Sequence, residues 1–208
     1  MNYNGIYIIG AGGHGQVIAD ILRKLHYPVK GFLDDKLTSK IMDIPIVGPV
    51  MFAKELEGRF VVAIGDNKVR SEIVKKLSLP DDHYFTVIHP STVIGNNVEI
   101  GPGTMIIGGV IINIGTKIGK HVIVNTSSSL DHHNIIGDFV HIGPGTHTGG
   151  NVVVEEGAFL GIGTSVIPGK KIGKWAKIGA GAVVIDNIPP YTTSVGVPAR
   201  VIKNYRND

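Results

Sequence analysis

The chain contains no cysteine. That removes disulfides, thiolate metal sites and a cysteine nucleophile from consideration, and it fits a reducing, cytoplasmic setting. It has no apolar run as long as a membrane span, and the opening Met1-Asn2-Tyr3-Asn4 lacks the basic start of a secretory signal, so membrane insertion is not expected. Charge of one sign is scarce as well: 20 Lys and Arg against 17 Asp and Glu leave a formal +3. The basic residues form no long run with interleaved aromatics, so a nucleic-acid partner is not expected either. A metal is not implied.

What the chain does have is a period. From Ile94 to Val184 every sixth residue is a branched aliphatic: Ile94, Ile100, Ile106, Ile112, Ile118, Val124, Leu130, Ile136, Ile142, then Val154, Leu160, Val166, Ile172, Ile178 and Val184, with Thr148 alone departing. Glycine often follows directly, as at Gly95, Gly101, Gly119, Gly137, Gly143, Gly149, Gly161, Gly173 and Gly179. A helix needs apolar residues three and four apart, and an ordinary strand alternates only briefly before a turn. Six residues make one short strand and one turn, with the aliphatic pointing inward and Gly or Asn relieving the corner. Three such units close a triangular coil, and coils stacked at about 4.8 Å give a prism roughly 25 Å tall. No single coil can bury the aliphatic column alone, so stability comes from the stack.

Residues 5 to about 88 read differently. Gly5 to Ile9 predicts a buried strand, Gly10-Ala11-Gly12-Gly13-His14-Gly15 a tight loop, and Gln16 to Leu25 an amphipathic helix with Val17, Ile18, Ile21, Leu22 and Leu25 on one side. Val29 to Leu33 predicts a second strand ending at Asp34-Asp35. The loop fits G-x-G-x-x-G, with an acidic residue some twenty positions on, as in dinucleotide sites. Its glycines allow backbone N–H groups to approach an anion at the helix N-terminus. Beyond Asp35 come an Ile44-Pro45-Ile46 segment, a helix around Val50 to Leu56, a strand Phe60 to Ile64, Gly65-Asp66-Asn67, a helix Lys68 to Leu77 and a strand Thr86 to Ile88. That is room for only half of a doubly wound fold, which suits a nucleotide-sugar better than NAD. An NAD-dependent oxidoreductase would need a second half that is not there. His89-Pro90 turns the chain into the prism, which gives three expected units: 1–88, 89–187 and a C-terminal cap 188–208 in which a short helix fits.

Within the prism, polar residues cluster at Asn125 and Asp131 with His132, His133, His141 and His147. Four imidazoles within sixteen residues point to chemistry. Lys170, Lys171, Lys174 and Lys177 gather late, either to meet a phosphorylated cofactor or to keep a face solvated.

The repeat resembles that of the hexapeptide-repeat acyltransferases. The segments Gly10–Gly15, Phe32–Asp35, Ala63–Asn67, Asn125–Ser128, the His132 stretch, Gly149–Asn151 and Gly196–Ala199 are together similar to the acetyltransferases of nucleotide-linked amino sugars, over nearly the whole chain. Those of the bacillosamine pathway, acting on a UDP-4-amino-4,6-dideoxy sugar, match best, and the sialic acid O-acetyltransferases share the architecture. The resemblance implies a left-handed parallel β-helix behind an α/β Rossmann-like half-domain, acetyl-CoA as co-substrate, a homotrimer, and a site between neighbouring prisms. It implies His132 as general base, with His133 where the family places an acidic residue, so that any acidic assistance comes from elsewhere, such as Asp131. It implies Gly12, Gly13, His14, Asp34, Asp35, Gly65 and Asn125 for the nucleotide-sugar, and His141, Gly150, Ile162 and Ala180 along the acetyl-CoA channel. Association is supported by aliphatics such as Ile107 and Ile111, which a lone prism would expose. Sugar O-acetylation and a catalytically inert nucleotide-sugar-binding scaffold remain as alternatives.

Overall fold

The computed structural model describes residues 5–205, so Met1 to Asn4, read above for a leader, lie outside them. The front of the chain runs β1 (Ile6–Ile9), α1 (Gly13–Lys24), β2 (Val29–Leu33), β3 (Ile46–Gly48), a 3-10 helix (Val50–Glu55), β4 (Arg59–Val62) and α2 (Asn67–Leu77). The sheet is parallel, in the order β3-β2-β1-β4. α1 buries Ile18, Ala19, Ile21 and Leu22. Val17, expected on the same side, is turned out at 43% exposed, because a stripe at 100° per residue through Ile18, Ile21 and Leu22 excludes it. The segment expected as a helix around Val50 is 3-10 throughout, six residues capped where Asp35 Oδ1 accepts the Val50 N–H at 2.8 Å.

The next strand, β5 (Val87–Ile88), pairs with Met105–Ile106 and so belongs to the prism, not to the front sheet. From there strands recur every six residues and pair in parallel with those eighteen residues away, forming three faces. An eight-stranded face holds β5 and the strands at Met105, Ile123, His141, Phe159 and Lys177. A six-stranded face begins at Val93 and a five-stranded face at Glu99. Among the described residues the C-terminal segment forms no helix: Thr192–Val195 and Arg200–Asn204 are an antiparallel hairpin that extends the eight-stranded face and caps the last coil.

The inward aliphatics from Ile106 to Val184 form one continuous core, each almost fully buried, whereas Ile94, with no coil beyond it, is 40% exposed. Each such side chain withdrawn from water contributes about 1.5–3 kcal/mol. Thr148 sits in the column at 5% exposure between Leu130 and Val166.

The corner glycines act differently from expectation. Those directly after the inward residues have ordinary φ; a Cβ on Gly101 or Gly161 would instead run into the backbone of the next coil, at Gly119 and Ala180. They permit close stacking of coils. The left-handed backbone falls two residues later, at positions including Gly103, His121, His133, Phe139, Asn151, Gly157 and Trp175.

The front unit docks on the eight-stranded face through a shared core in which Ile18, Leu22 and Phe85 meet Met105, Ile107 and Ile123. Ile107 is therefore covered by its own chain at 4% exposure, and only Ile111, at 44%, stands free as expected.

Candidate functional site

Three edges separate the three faces, and the expected site residues of the prism, His141 apart, fall on two of them. The edge joining the eight- to the six-stranded face carries Asn125, Ile162 and Ala180, the last two in consecutive turns joined by the Gly181 N–H to Ile162 O bond at 2.7 Å. The edge joining the six- to the five-stranded face carries Asp131, His132, His133 and Gly150. One hexad of chain lies between them, on the order of 15–20 Å at about 3.3 Å per residue. The four histidines accordingly do not form one cluster. His147 stands on the six-stranded face, its Nδ1 2.8 Å from Ser129 Oγ, and His141 lies on the eight-stranded face under the front unit.

At the His132 edge, the exposed imidazole lies on Gly150: a Cβ there would overlap Cε1 and Nε2 of the ring. Gly150 is thus required by the close approach of His132, and the Asn151 N–H holds the turn through the His132 carbonyl at 2.9 Å. His132 Nδ1 faces His133 Nδ1 at 3.1 Å, so one donates and the other accepts. Asp131 does not reach the ring. Its Oδ1 accepts the His132 backbone N–H at 2.8 Å and the Asn113 Nδ2–H at 2.9 Å, and these bonds hold its carboxyl below the usual range. Asp131 thus acts on the ring through charge rather than a hydrogen bond, and His133 is the ring's hydrogen-bonded neighbour.

At the other edge, Gly12 and Gly13 open α1 with no side-chain cap and open space where a Cβ would point. Gly15, by contrast, packs against the Gly10 carbonyl, where no Cβ fits. Asp34 grips the loop rather than hanging free: Oδ2 accepts the Ala11 N–H at 2.9 Å, and Oδ1 those of Lys36 and Leu37 at 2.9 and 3.0 Å. Desolvation pushes this carboxyl up, but the three N–H bonds outweigh it and leave it below its ordinary value. His14 sits in the first turn of α1, its buried Nε2 without a partner among the described residues. Burial, then the charge of Arg70, lower its pKa to about 4, so it is neutral.

His141 is anchored within its own chain. Its Nδ1–H donates to the Gly65 carbonyl at 3.1 Å, and its Nε2 accepts the Asn125 Nδ2–H at 3.2 Å. Burial lowers its pKa to about 4 as well. Both ring nitrogens are engaged between front unit and prism, which ties Gly65 to Asn125.

Behind this stands a residue that sequence reasoning missed. Arg70 is the largest fully buried side chain. It donates to the carbonyls of Ile64 at 2.8 Å, His121 at 2.9 Å and Phe139 at 2.9 Å, and to Asn67 Oδ1 at 3.0 Å. Asn67 in turn donates to the carbonyls of Gly157 and Ala158. The two clamp α2 to the edge between the five- and eight-stranded faces. The only sequence signal was the spacing of three between Asn67 and Arg70, which puts both on one side of α2. Of the late lysines, Lys171 and Lys174 pair with Glu155 and Glu156. Among the described residues no group of three or more His, Cys, Asp or Glu is placed to hold a metal, and no helix is long and apolar enough to cross a membrane.

Comparison with known proteins matches this arrangement. A family model, PglD N-terminal domain, fits residues 5–77. UDP-N-acetylbacillosamine N-acetyltransferase of Bacillus subtilis (strain 168) is 39% identical over 103 residues, covering 46% of this chain and 48% of the relative, so the match spans about half the relative's length. A solved variant of perosamine N-acetyltransferase from Caulobacter crescentus, in complex with CoA and GDP-perosamine, is 36% identical with a TM-score of 0.90, covering 96% of this chain and 97% of that one. The acetyltransferase domain of PglB from Neisseria gonorrhoeae FA1090, in complex with acetyl coenzyme A, is 30% identical with a TM-score of 0.89, covering 97% and 100%. The prism is thus a left-handed parallel β-helix.

Proposed function

The chain belongs to the hexapeptide-repeat acetyltransferases of nucleotide-linked amino sugars, and from that premise we propose that it moves the acetyl group of acetyl-CoA to the 4-amino group of a UDP-linked 4-amino-4,6-dideoxy sugar. The observation that carries the reading is the His132 ring, exposed on an edge and seated where Gly150 leaves room for it. In this mechanism the amine nitrogen attacks the thioester carbonyl directly. His132 Nε2 takes the ammonium proton as the C–N bond forms, then returns it to the sulfur as the C–S bond breaks and CoA leaves as the thiol. For Nε2 to accept, Nδ1 must carry the ring proton, and His133 Nδ1 at 3.1 Å accepts it. His133 therefore fixes the tautomer but supplies no full negative charge. The Gly150 N–H would meet the oxygen on which charge develops.

Because Asn125, Ile162 and Ala180 share one edge and His132 and Gly150 the next, the reading needs two copies side by side, first edge against second. Repetition of that heterologous contact closes a ring, and we take it to be the trimer. In it the nucleotide-sugar lies on the front unit of one copy, with the Gly12-Gly13 amides facing its pyrophosphate and Asp34, Asp35, His14, Gly65 and Asn125 around it. The base comes from the neighbour. A cytoplasmic setting belongs to the same proposal.

A second reading concerns the nucleotide. One structure matched over nearly its full length was solved with GDP-perosamine, whereas the UDP-sugar relative matches over about half its length. Thiol release from acetyl-CoA, measured with UDP-, GDP- and dTDP-linked 4-amino sugars and with sialic acid, decides between them. Release with a UDP-4-amino sugar alone supports the first reading, with the GDP sugar the second, and with sialic acid an O-acetyltransferase. No release with any acceptor leaves a binding scaffold.

A further inference from the structure

A cleft of about 740 Å³ lies between α2 and the lower coils, on the edge joining the five- to the eight-stranded face, away from His132. Its volume is that of a small-molecule site. The left-handed corner position on this edge holds His121 (φ 53°), Phe139 (φ 58°), Gly157 (φ 69°) and Trp175 (φ 55°), and Tyr191 continues the series (φ 56°). That backbone costs a non-glycine residue about 1–2 kcal/mol, so large side chains there call for a reason. For His121 and Phe139 the reason is visible. Their rings stack at 5.2 Å, Tyr84 of the front unit covers His121 at 4.5 Å, and Arg70 binds both carbonyls. Trp175 and Tyr191 occupy the same position in later coils, across the cleft from α2. Trp175 rests on Gly157, where no Cβ would fit, and Tyr191 is 38% exposed. Both line the cleft instead.

The remaining walls are chemically specific. Tyr205 adds a third ring, with the Lys177 and Lys203 ammonium groups 5.9 and 4.7 Å from its centroid. Lys68, Lys75 and Lys177 line the cleft together with Asp66 and Glu72, and Asp66 is engaged as the α2 cap through the Val69 N–H. On the α2 wall the buried Ser71 hydroxyl has no partner among the described residues. Aromatic faces bind a planar ring by stacking, and ammonium groups beside them bind phosphate. We infer that this cleft binds a nucleoside phosphate, its base on Trp175 and Tyr191 and its phosphate on Lys75 and Lys177, as a second site apart from the acetyl-transfer edges. Gly65 borders the cleft and also accepts the His141 hydrogen bond that leads to Asn125, so occupancy has a route to the acceptor pocket.

Trp175 is the only tryptophan of the chain, so intrinsic fluorescence reports on the cleft directly. The full chain is titrated with ADP, UDP, adenosine 3′,5′-bisphosphate and inorganic phosphate. A nucleoside phosphate gives a saturable change and phosphate alone does not. Tyr191→Ser and Lys75→Gln each raise the Kd at least about tenfold, leaving the melting temperature unchanged. Asp34→Ala, in the front unit, leaves the fluorescence response in place. The inference is overturned by no saturable change with any nucleotide, or by an equal response to inorganic phosphate. It is equally overturned by a response that survives both cleft variants but disappears in Asp34→Ala, which would assign the signal to the front unit.

Discussion

Alanine at position 150 places one methyl group where the His132 ring already lies. The added Cβ would meet Cε1 and Nε2 far inside the 3.4 Å of ordinary contact, so one of the two must retreat. Gly150 is buried in the turn, held on either side by the bonds of Gly149 N to Val166 O at 2.8 Å and Asn151 N to His132 O at 2.9 Å. The imidazole is exposed, so it is the ring that moves, by about 1 Å, and a base displaced by that much loses on the order of 100-fold in rate. At 1.36 kcal/mol per decade that is about 2.7 kcal/mol of transition-state stabilisation. Folding should hardly register the change, because φ at Gly150 lies outside the left-handed region and an exposed ring swings at a cost of under about 1 kcal/mol. The assay is CoA thiol release at varied acceptor concentration, beside a thermal melt of the same preparation. The expected result is a fall of about 100-fold in kcat with the melting temperature unchanged. Near-native turnover in Gly150→Ala would refute the seating of the base; if His132→Ala then also turned over normally, the base itself would be misassigned.

His132→Ala should lower kcat by about 10²- to 10⁴-fold with no loss of stability, by the same two assays. Mixing His132→Ala with Asn125→Ala and reassociating the chains should restore about one quarter of wild-type activity, because in a heterologous ring each site takes one residue from each neighbour; no recovery would place both residues in one chain's site. His14, His121 and His141 are each held neutral by burial, with pKa lowered to about 4, so the unfolded chain binds more protons between pH 6.5 and 4. Their contribution to stability is complete above pH 6.5 and is lost as pH falls towards 4, about 3 kcal/mol for His121 alone in urea titrations. His121→Phe, which removes the partnerless Nδ1 between Tyr84 and Phe139, should flatten that slope. Arg70→Met orphans the carbonyls of Ile64, His121 and Phe139 at about 1–3 kcal/mol each. The sum approaches a whole domain's stability, so limited proteolysis should release the front unit.

The hexad period was legible because one side of each short strand faces a continuous aliphatic core, and a six-residue slip-free repeat leaves a trace that no helix produces. The front βαβ was legible for a related reason: Gly12, Gly13 and Gly15 mark a tight turn whatever the ligand. What the residues could not show was which side of a boundary a two-residue strand joins. Val87–Ile88 has the apolar character of either sheet, and only pairing with Met105–Ile106 decides it. The glycine after each inward residue was misread for a similar reason. Sequence registers that a side chain is absent, but whether the backbone turns there or the next coil presses close depends on residues eighteen positions away.

The same limit explains the site. Spacing along the chain placed His132, His133, His141 and His147 within sixteen residues, and proximity in sequence suggested one cluster. In a three-sided coil, however, a displacement of six residues changes the face, and nine takes a residue from an edge to the middle of another face. His132 and His141 are therefore separated by the very regularity that made the fold readable, and His141 finds its partners, Gly65 and Asn125, 76 and 16 residues away. Arg70 was hidden for the complementary reason: an arginine in an amphipathic helix is ordinarily solvated, and this one is buried because the carbonyls of two distant coils, at His121 and Phe139, converge on it with that of Ile64 just before its own helix. The exposed His132 ring has His133 and Asp131 beside it, whereas Asn125, the proposed acceptor-pocket residue, lies on another edge of the same chain. On the proposed reading the acceptor pocket comes from the matching edge of a second copy, so a variant that separates the copies without unfolding them should lose thiol release, and full activity in such a variant would refute the shared site.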